Sequence, residues 1–176
     1  DLPGAASPLQ QGDAPADELP ARYRTTPDSL PFRFEYPEDA RLALVPDSEQ
    51  STLFFDLEFP REKARLYCTF RHIRPEDFPT ASEESRRLVY FHTARAEKIE
   101  EKLYAPTPPS HTGGLLYSLE GPAATPRQLA LSDSATYFFH ASLYFDSGAY
   151  EPQKADTLAR LHRYLEHLME TFRALS

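Results

Sequence analysis

TLFFDLEFPREKARLYCTFRHI, residues 52–73, decides the fold class. In its first part Leu53, Phe55, Leu57 and Phe59 recur at every second position, so they share one face of an extended chain. In its last part Ala64, Leu66, Cys68, Phe70 and His72 share a face, with Arg65, Tyr67, Thr69 and Arg71 opposite. Pro60–Lys63 separates the two runs. Two alternating runs around a short turn predict an antiparallel hairpin with one buried face.

The same period extends outward. FRFEY (32–36) alternates aromatic and charged residues and is predicted to be a half-buried strand ended by Pro37. LALV (42–45) predicts a short strand, and GLLYSLEG (114–121) and RQLALS (127–132) predict two more. SDS (132–134) predicts a turn, because short Ser and Asp side chains bond to nearby backbone. ATYFFHASLYF (135–145) follows as a longer strand.

Two segments carry a helical period instead. Thr80-Ala81-Ser82-Glu83 matches a capping box and predicts a helix from about 80 to 104. Val89, His92, Ala96, Ile99 and Leu103 form its apolar stripe, and the loop PTPPSHTGG (106–114) ends it. Residues 153–175 predict the second helix, with Leu158, Leu161, Leu165, Leu168, Phe172 and Leu175 at three- and four-residue spacing. Arg163 with Glu166 and Glu170 with Arg173 are favourable pairs on it. Hairpin-linked strands and two striped helices predict an α+β sandwich: a mainly antiparallel sheet of about six or seven strands between two long helices.

Ahead of the domain, residues 1–30 carry prolines at positions 3, 8, 15, 20 and 27 and little apolar material. Such a segment cannot offset its ordering entropy and is expected to be an extended leader, with the domain at 31–176. In polyproline-like form it would reach on the order of 80–90 Å, enough for a tether. The chain begins DLPG, not with Met, and is expected to be a processed or trimmed form whose signal sequence has gone.

Composition narrows the function. The formal charge is −8, which disfavours nucleic acid and an anionic membrane surface as partners, since both reward cations. The one cysteine excludes an internal disulfide and any C-x-x-C zinc pattern. Apolar runs such as LVYF are far shorter than the roughly 20 residues of a membrane span.

Candidate chemistry concentrates at Asp133, Ser134 and His140, the residue types of a hydrolase. No G-x-S-x-G elbow accompanies them, so a turn followed by a buried strand is the preferred reading. Cys68 lies mid-strand between Leu66 and Phe70 and is expected to be a core thiol. His92 falls on an apolar stripe, where a satisfied buried imidazole is the simpler reading. His162 and His167 are badly spaced on a helix to share a metal, and no H-E-x-x-H or calcium-loop pattern occurs. Gly113-Gly114 lacks the Lys and Ser/Thr of a phosphate loop and is expected to be a turn. No catalytic residue, cofactor or metal is assigned.

A resemblance goes further. EESRRLVYFHTARAEKIEEKLY (83–104), GLLYSLEGPAATPRQLALSDSATYFFHASLYFDSG (114–148) and HLMETF (167–172) resemble the GldD family of gliding-motility lipoproteins from Bacteroidetes. F-x-F-E-Y-P (32–37) and F-P-x-x-x-A-x-L-Y (59–67) fit as well, so the resemblance covers about 31–173. GPAAT (121–125) and FHASLYF (139–145) depart from the family's G-N-x-A-S and R-G-A-L-Y-F. The resemblance implies an exported protein held by an N-terminal lipidated Cys, periplasm-facing, on the outer membrane in preference to the inner. It implies association with gliding and type IX secretion, and a non-enzymatic role supporting other envelope lipoproteins. The element order also looks like the Mog1/PsbP-type sandwich.

The expected interaction surface is the exposed face of the 80–104 helix with the loops 105–113 and 146–152, where Tyr90, Tyr104 and Tyr150 are the candidate aromatics. Two alternatives stand beside it. One is a small-ligand-binding lipoprotein with an aromatic pocket between helix and sheet. The other is a hydrolase using Asp133, Ser134 and His140.

Overall fold

The computed structural model describes residues 22–45, 52–91 and 96–175. Strands β1 (Tyr23–Thr25), β2 (Phe32–Arg33), β3 (Glu35–Pro37), β4 (Arg41–Leu44), β5 (Thr52–Phe59) and β6 (Ala64–His72) lead to helix α1 (Phe78–Phe91). Strands β7 (Lys98–Thr107), β8 (Thr112–Glu120), β9 (Arg127–Ser132) and β10 (Tyr137–Phe145) follow, then helix α2 (Ala155–Thr171) and β11 (Arg173–Ala174). The main sheet has seven strands in the order β4-β5-β6-β10-β9-β8-β7. Every pairing in it is antiparallel. The fold is α+β, with one helix on each side of this sheet.

The predicted hairpin forms in the expected register, Phe59 opposite Ala64 and Phe55 opposite Cys68. Alternation then sorts the side chains. Phe55, Leu57, Phe59, Leu66, Cys68, Phe70, Phe139, Ala141 and Leu143 are buried on the α2 side. α2 lays Leu158, Leu161, Leu165 and Leu168 on that face. FRFEY does alternate, with Phe32, Phe34 and Tyr36 buried, but it stays outside the main sheet. β2 pairs with β11 and β3 with β1, so this segment covers the part of the core that α2 leaves open. The cover is aromatic: Phe172 stands 4.9 Å from Phe139, 5.8 Å from Phe32 and 6.1 Å from Phe34, centroid to centroid.

Five expectations are corrected. The helix predicted over 80–104 is two elements. α1 stops at Phe91, and Ile99 and Leu103 belong to the edge strand β7, opposite Leu119 and Leu115. β7 carries Lys98, Glu100, Glu101, Lys102 and Pro106, the charge and proline that keep an exposed edge from pairing with other chains. His92 lies outside the described residues.

The Thr80–Glu83 box does not start α1. The chain turns at Pro75, where the Arg74 N–H donates to Asp77 (3.0 Å), and α1 continues from Phe78. The last helix ends at Thr171, so Leu175 is off the stripe and its N–H donates to Pro31 (2.9 Å).

Gly113 and Gly114 are strand residues. A Cβ on Gly114 would lie 2.7 Å from Leu131 Cδ2 and 2.9 Å from Met169 Cε, so the missing side chain lets α2 approach β8. Within the 1–30 segment expected as a leader, Tyr23–Thr25 is a strand, and Thr26 and Leu30 are buried. The folded body therefore includes residues ahead of 31.

Phe172→Ala is expected to cost about 3–5 kcal/mol of unfolding free energy, and Leu175→Ala less than about 1 kcal/mol. Denaturant unfolding of the two variants measures the difference. Equal losses would mean that the apolar stripe continues through residue 175.

Candidate functional site

The other side of the sheet is built differently. β10 turns Phe138, His140, Ser142 and Tyr144 toward α1. His140 lies opposite Ala130 and Thr69, and Ser142 opposite Gln128 and Tyr67. α1 buries Ala81, Ser85 and Val89, spaced four apart, against this face. Between α1 and strands β5, β6 and β10 runs an open groove of about 520 Å³. Phe54, Tyr67 and Leu88 line it and remain 36%, 47% and 48% exposed. Arg71 crosses from β6 to Glu84 of α1 at 2.9 Å.

Its floor is a chain of buried polar groups. Ser85 Oγ lies 2.7 Å from His140 Nδ1, and His140 Nε2 lies 3.0 Å from Gln128 Oε1. Ser142 Oγ donates to Gln128 Oε1 at 2.9 Å. An amide oxygen only accepts, so His140 carries its proton on Nε2 and Nδ1 accepts the Ser85 hydroxyl. Burial pushes the His140 pKa down to about 4, and the ring is neutral at physiological pH. Gln128 Nε2 is buried and has no hydrogen-bond partner among the described residues.

Ser85 sits inside α1, where its own N–H belongs to the helix ladder. The N–H of the next residue, Arg86, lies in the same ladder and is not free to stabilise an oxyanion as the residue after a nucleophile elbow is. With a weakly basic imidazole beside it, the arrangement is suited to binding through fixed hydrogen bonds.

The candidates from sequence fall elsewhere. Asp133 holds its own turn, accepting from the N–H groups of Thr136 (2.7 Å), Ala135 (3.0 Å) and Tyr137 (3.3 Å). Partial burial alone would raise its pKa, but the Thr136 hydroxyl and these N–H donors outweigh it and hold the carboxylate below its usual range. Ser134 sits in the same turn with φ 67°. Neither residue is brought to His140, whose ring nitrogens engage Ser85, Gln128 and Ser142. Cys68 is buried, and burial pushes its thiol pKa well up, with Asp56 adding to the shift. His162 accepts from Arg127 Nε at 2.9 Å, while His167 bonds Glu35 at 2.7 Å and stacks on Tyr23. Among the described residues no group of three His, Cys, Asp or Glu side chains could hold a metal.

The three tyrosines do not share a surface. Tyr90 reaches from α1 to Glu101 of β7 and lies under Arg86. Tyr104 is on the opposite side of β7, donating to Glu166 of α2 at 3.3 Å. Tyr150 is half-buried against the main core.

Sequence reasoning placed Ser142 on the face of His140 but missed Ser85 and Gln128. The available signal was weak: polar residues at alternate positions of two otherwise apolar strands, RQLALS and YFFHASLYF.

Because the folded-state pKa of His140 lies below its ordinary value, the unfolded chain takes up the proton first as pH falls. Stability is therefore unaffected by His140 above about pH 6.5 and falls toward about pH 4, by up to roughly 3 kcal/mol. Denaturant unfolding at both ends of this window should show a much smaller drop in His140→Gln. Equal drops in the two proteins would show that the imidazole is not held neutral.

The solution structure of cyanobacterial PsbP (CyanoP) from Synechocystis sp. PCC 6803 is similar, with a TM-score of 0.51 at 8% identity. The match covers 92% of this chain and 97% of that chain, so the fold is PsbP-like. No curated protein sequence matches. The family model described as "Gliding motility lipoprotein GldD" matches residues 8–174. The chain therefore belongs to the GldD family of gliding motility lipoproteins.

Proposed function

We propose that the protein is a non-enzymatic domain of the cell envelope that supports assembly or stability of the gliding-motility and type IX secretion machinery. Family membership over nearly the whole chain carries this reading. An N-terminal lipid holds the domain to the envelope, facing the periplasm, with the outer membrane as the favoured site. The proline-rich N-terminal sequence is the spacer in this arrangement. Its partners are other gliding or type IX envelope proteins.

The end of α1 is the surface best suited to such a partner. Phe91 is 77% exposed, with Leu88 at 48% and Tyr90 at 39% on the same last turns. Exposed aromatic and aliphatic side chains close together mark interaction sites more often than isolated ones. Tyr90 keeps its place in this proposal, and Tyr104 and Tyr150 would belong to a second contact on the α2 side.

Cross-linking and affinity capture of the full-length lipidated protein from native envelopes, read by mass spectrometry, tests the assembly role. Recovery of gliding or type IX components at comparable amounts is the expected result. Recovery of the protein alone would end the proposal. Phe91→Asp is expected to lower that recovery by about tenfold, as loss of an interface anchor does. Its own stability should change by less than about 0.5 kcal/mol, because the side chain is exposed.

A further inference from the structure

We propose that the groove between α1 and the sheet is a binding site for a neutral carbohydrate, a function separate from the assembly role.

The hydrogen-bond directions on the floor select the ligand. The Ser85 hydroxyl is spent on His140 Nδ1, and the Ser142 hydroxyl on Gln128 Oε1. What these serines can still offer a ligand is oxygen lone pairs. Toward these two oxygens the bound group must donate, as hydroxyls do. Thr52, Thr69, Tyr67 and Tyr144 add further hydroxyls along the walls.

Charge narrows the class. The floor has no net charge, because His140 is neutral and its partners are uncharged. At the mouth, Arg71 and Glu84 neutralise each other. A carboxylate or phosphate would find no unpaired cation on this floor, and an ammonium no carboxylate. An aliphatic chain would bury the Thr52 and Thr69 hydroxyls without giving them a partner, which is costly.

The walls complete the match. The Phe54 and Tyr67 rings are partly exposed, and Tyr67 is held edge-on by Tyr144 at 5.2 Å. Such rings receive the C–H face of a sugar, while the ring's hydroxyl edge turns to the floor. The volume of about 520 Å³ lies within the range of small-ligand sites.

The test is NMR titration of the ¹⁵N-labelled chain with neutral oligosaccharides of different linkage: maltotriose, cellotriose, mannotriose and chitotriose. Decanoate and inorganic phosphate serve as apolar and anionic probes. At least one sugar should shift the amide signals of Thr69, Ser85, His140 and Ser142 in a saturable way. Tyr67→Ala should weaken that binding by roughly tenfold, and Phe54→Ala serves as a second variant at a separate position. Affinity should hold constant from about pH 8 to about pH 5, because no group on the floor changes charge there. The proposal is overturned if no sugar shifts these signals up to concentrations on the order of 10 mM. It is equally overturned if only decanoate or phosphate does so, or if both variants bind as tightly as the parent chain.

Discussion

The structure depends on closing one apolar face of the central sheet with pieces from both ends of the chain. α2 alone does not cover the strand centre around Phe55, Phe70 and Phe139. Phe172, just past the helix, and Phe32 and Phe34, near the start of the domain, fill the remainder. Five of these contacts meet at Phe172, whose ring touches Phe32, Phe34, Phe70, Tyr137 and Phe139. To place that ring the chain must leave helical geometry, and Phe172 is extended, with φ −67° and ψ 132°. Thr171 makes the break possible. Its hydroxyl donates to the His167 carbonyl at the helix end and accepts the N–H of Glu35. The same corner then pairs β11 with β2, so the two termini lock each other in place.

This closure explains what the amino-acid pattern made legible. The hairpin of β5 and β6, the long strand β10 and the stripe of α2 all face the aromatic core, where burial demands strict periodicity. The failures lie where that demand is weak. Ile99 and Leu103 are four residues apart, a spacing that suits one face of a helix and one face of a strand equally. Val89 upstream extended the stripe by chance of phase. What separates the two cases is the partner: β8 supplies a hydrogen-bonding edge for residues 98–107, a long-range fact absent from local sequence. Tyr23–Thr25 was hidden for a related reason. It is a short strand in proline-rich surroundings, ordered by β3 and by the stacking of Tyr23 on His167.

The candidate site was half legible. Alternation placed His140 and Ser142 on one face of β10, as found. It could not say which residues would meet them. Gln128 comes from the neighbouring strand and Ser85 from a helix 55 residues earlier. The turn preferred for Asp133 and Ser134 is what forms: the Asp133 carboxylate and the Ser134 N–H are consumed where β9 reverses into β10. Residue types suited to catalysis were present, and local backbone hydrogen bonding had the prior claim on them.

The two faces of the sheet thus differ in kind. On the α2 side, many apolar contacts hold the helix, and each can adjust without loss of a directional bond. On the α1 side the buried contact is narrow, and a directed bond from Ser85 to His140 fixes where along the sheet the helix rests. Shifting α1 by a turn would strand the imidazole nitrogen without a donor, a penalty of about 1–3 kcal/mol for a buried polar group. That buried bond, with the Arg71–Glu84 pair at the mouth, holds the groove open at one width, with Leu88 and Glu84 on its rim and Phe54 and Tyr67 across from them. A face closed by packing needs no such bond. A face that must stay partly open, yet keep its shape, does.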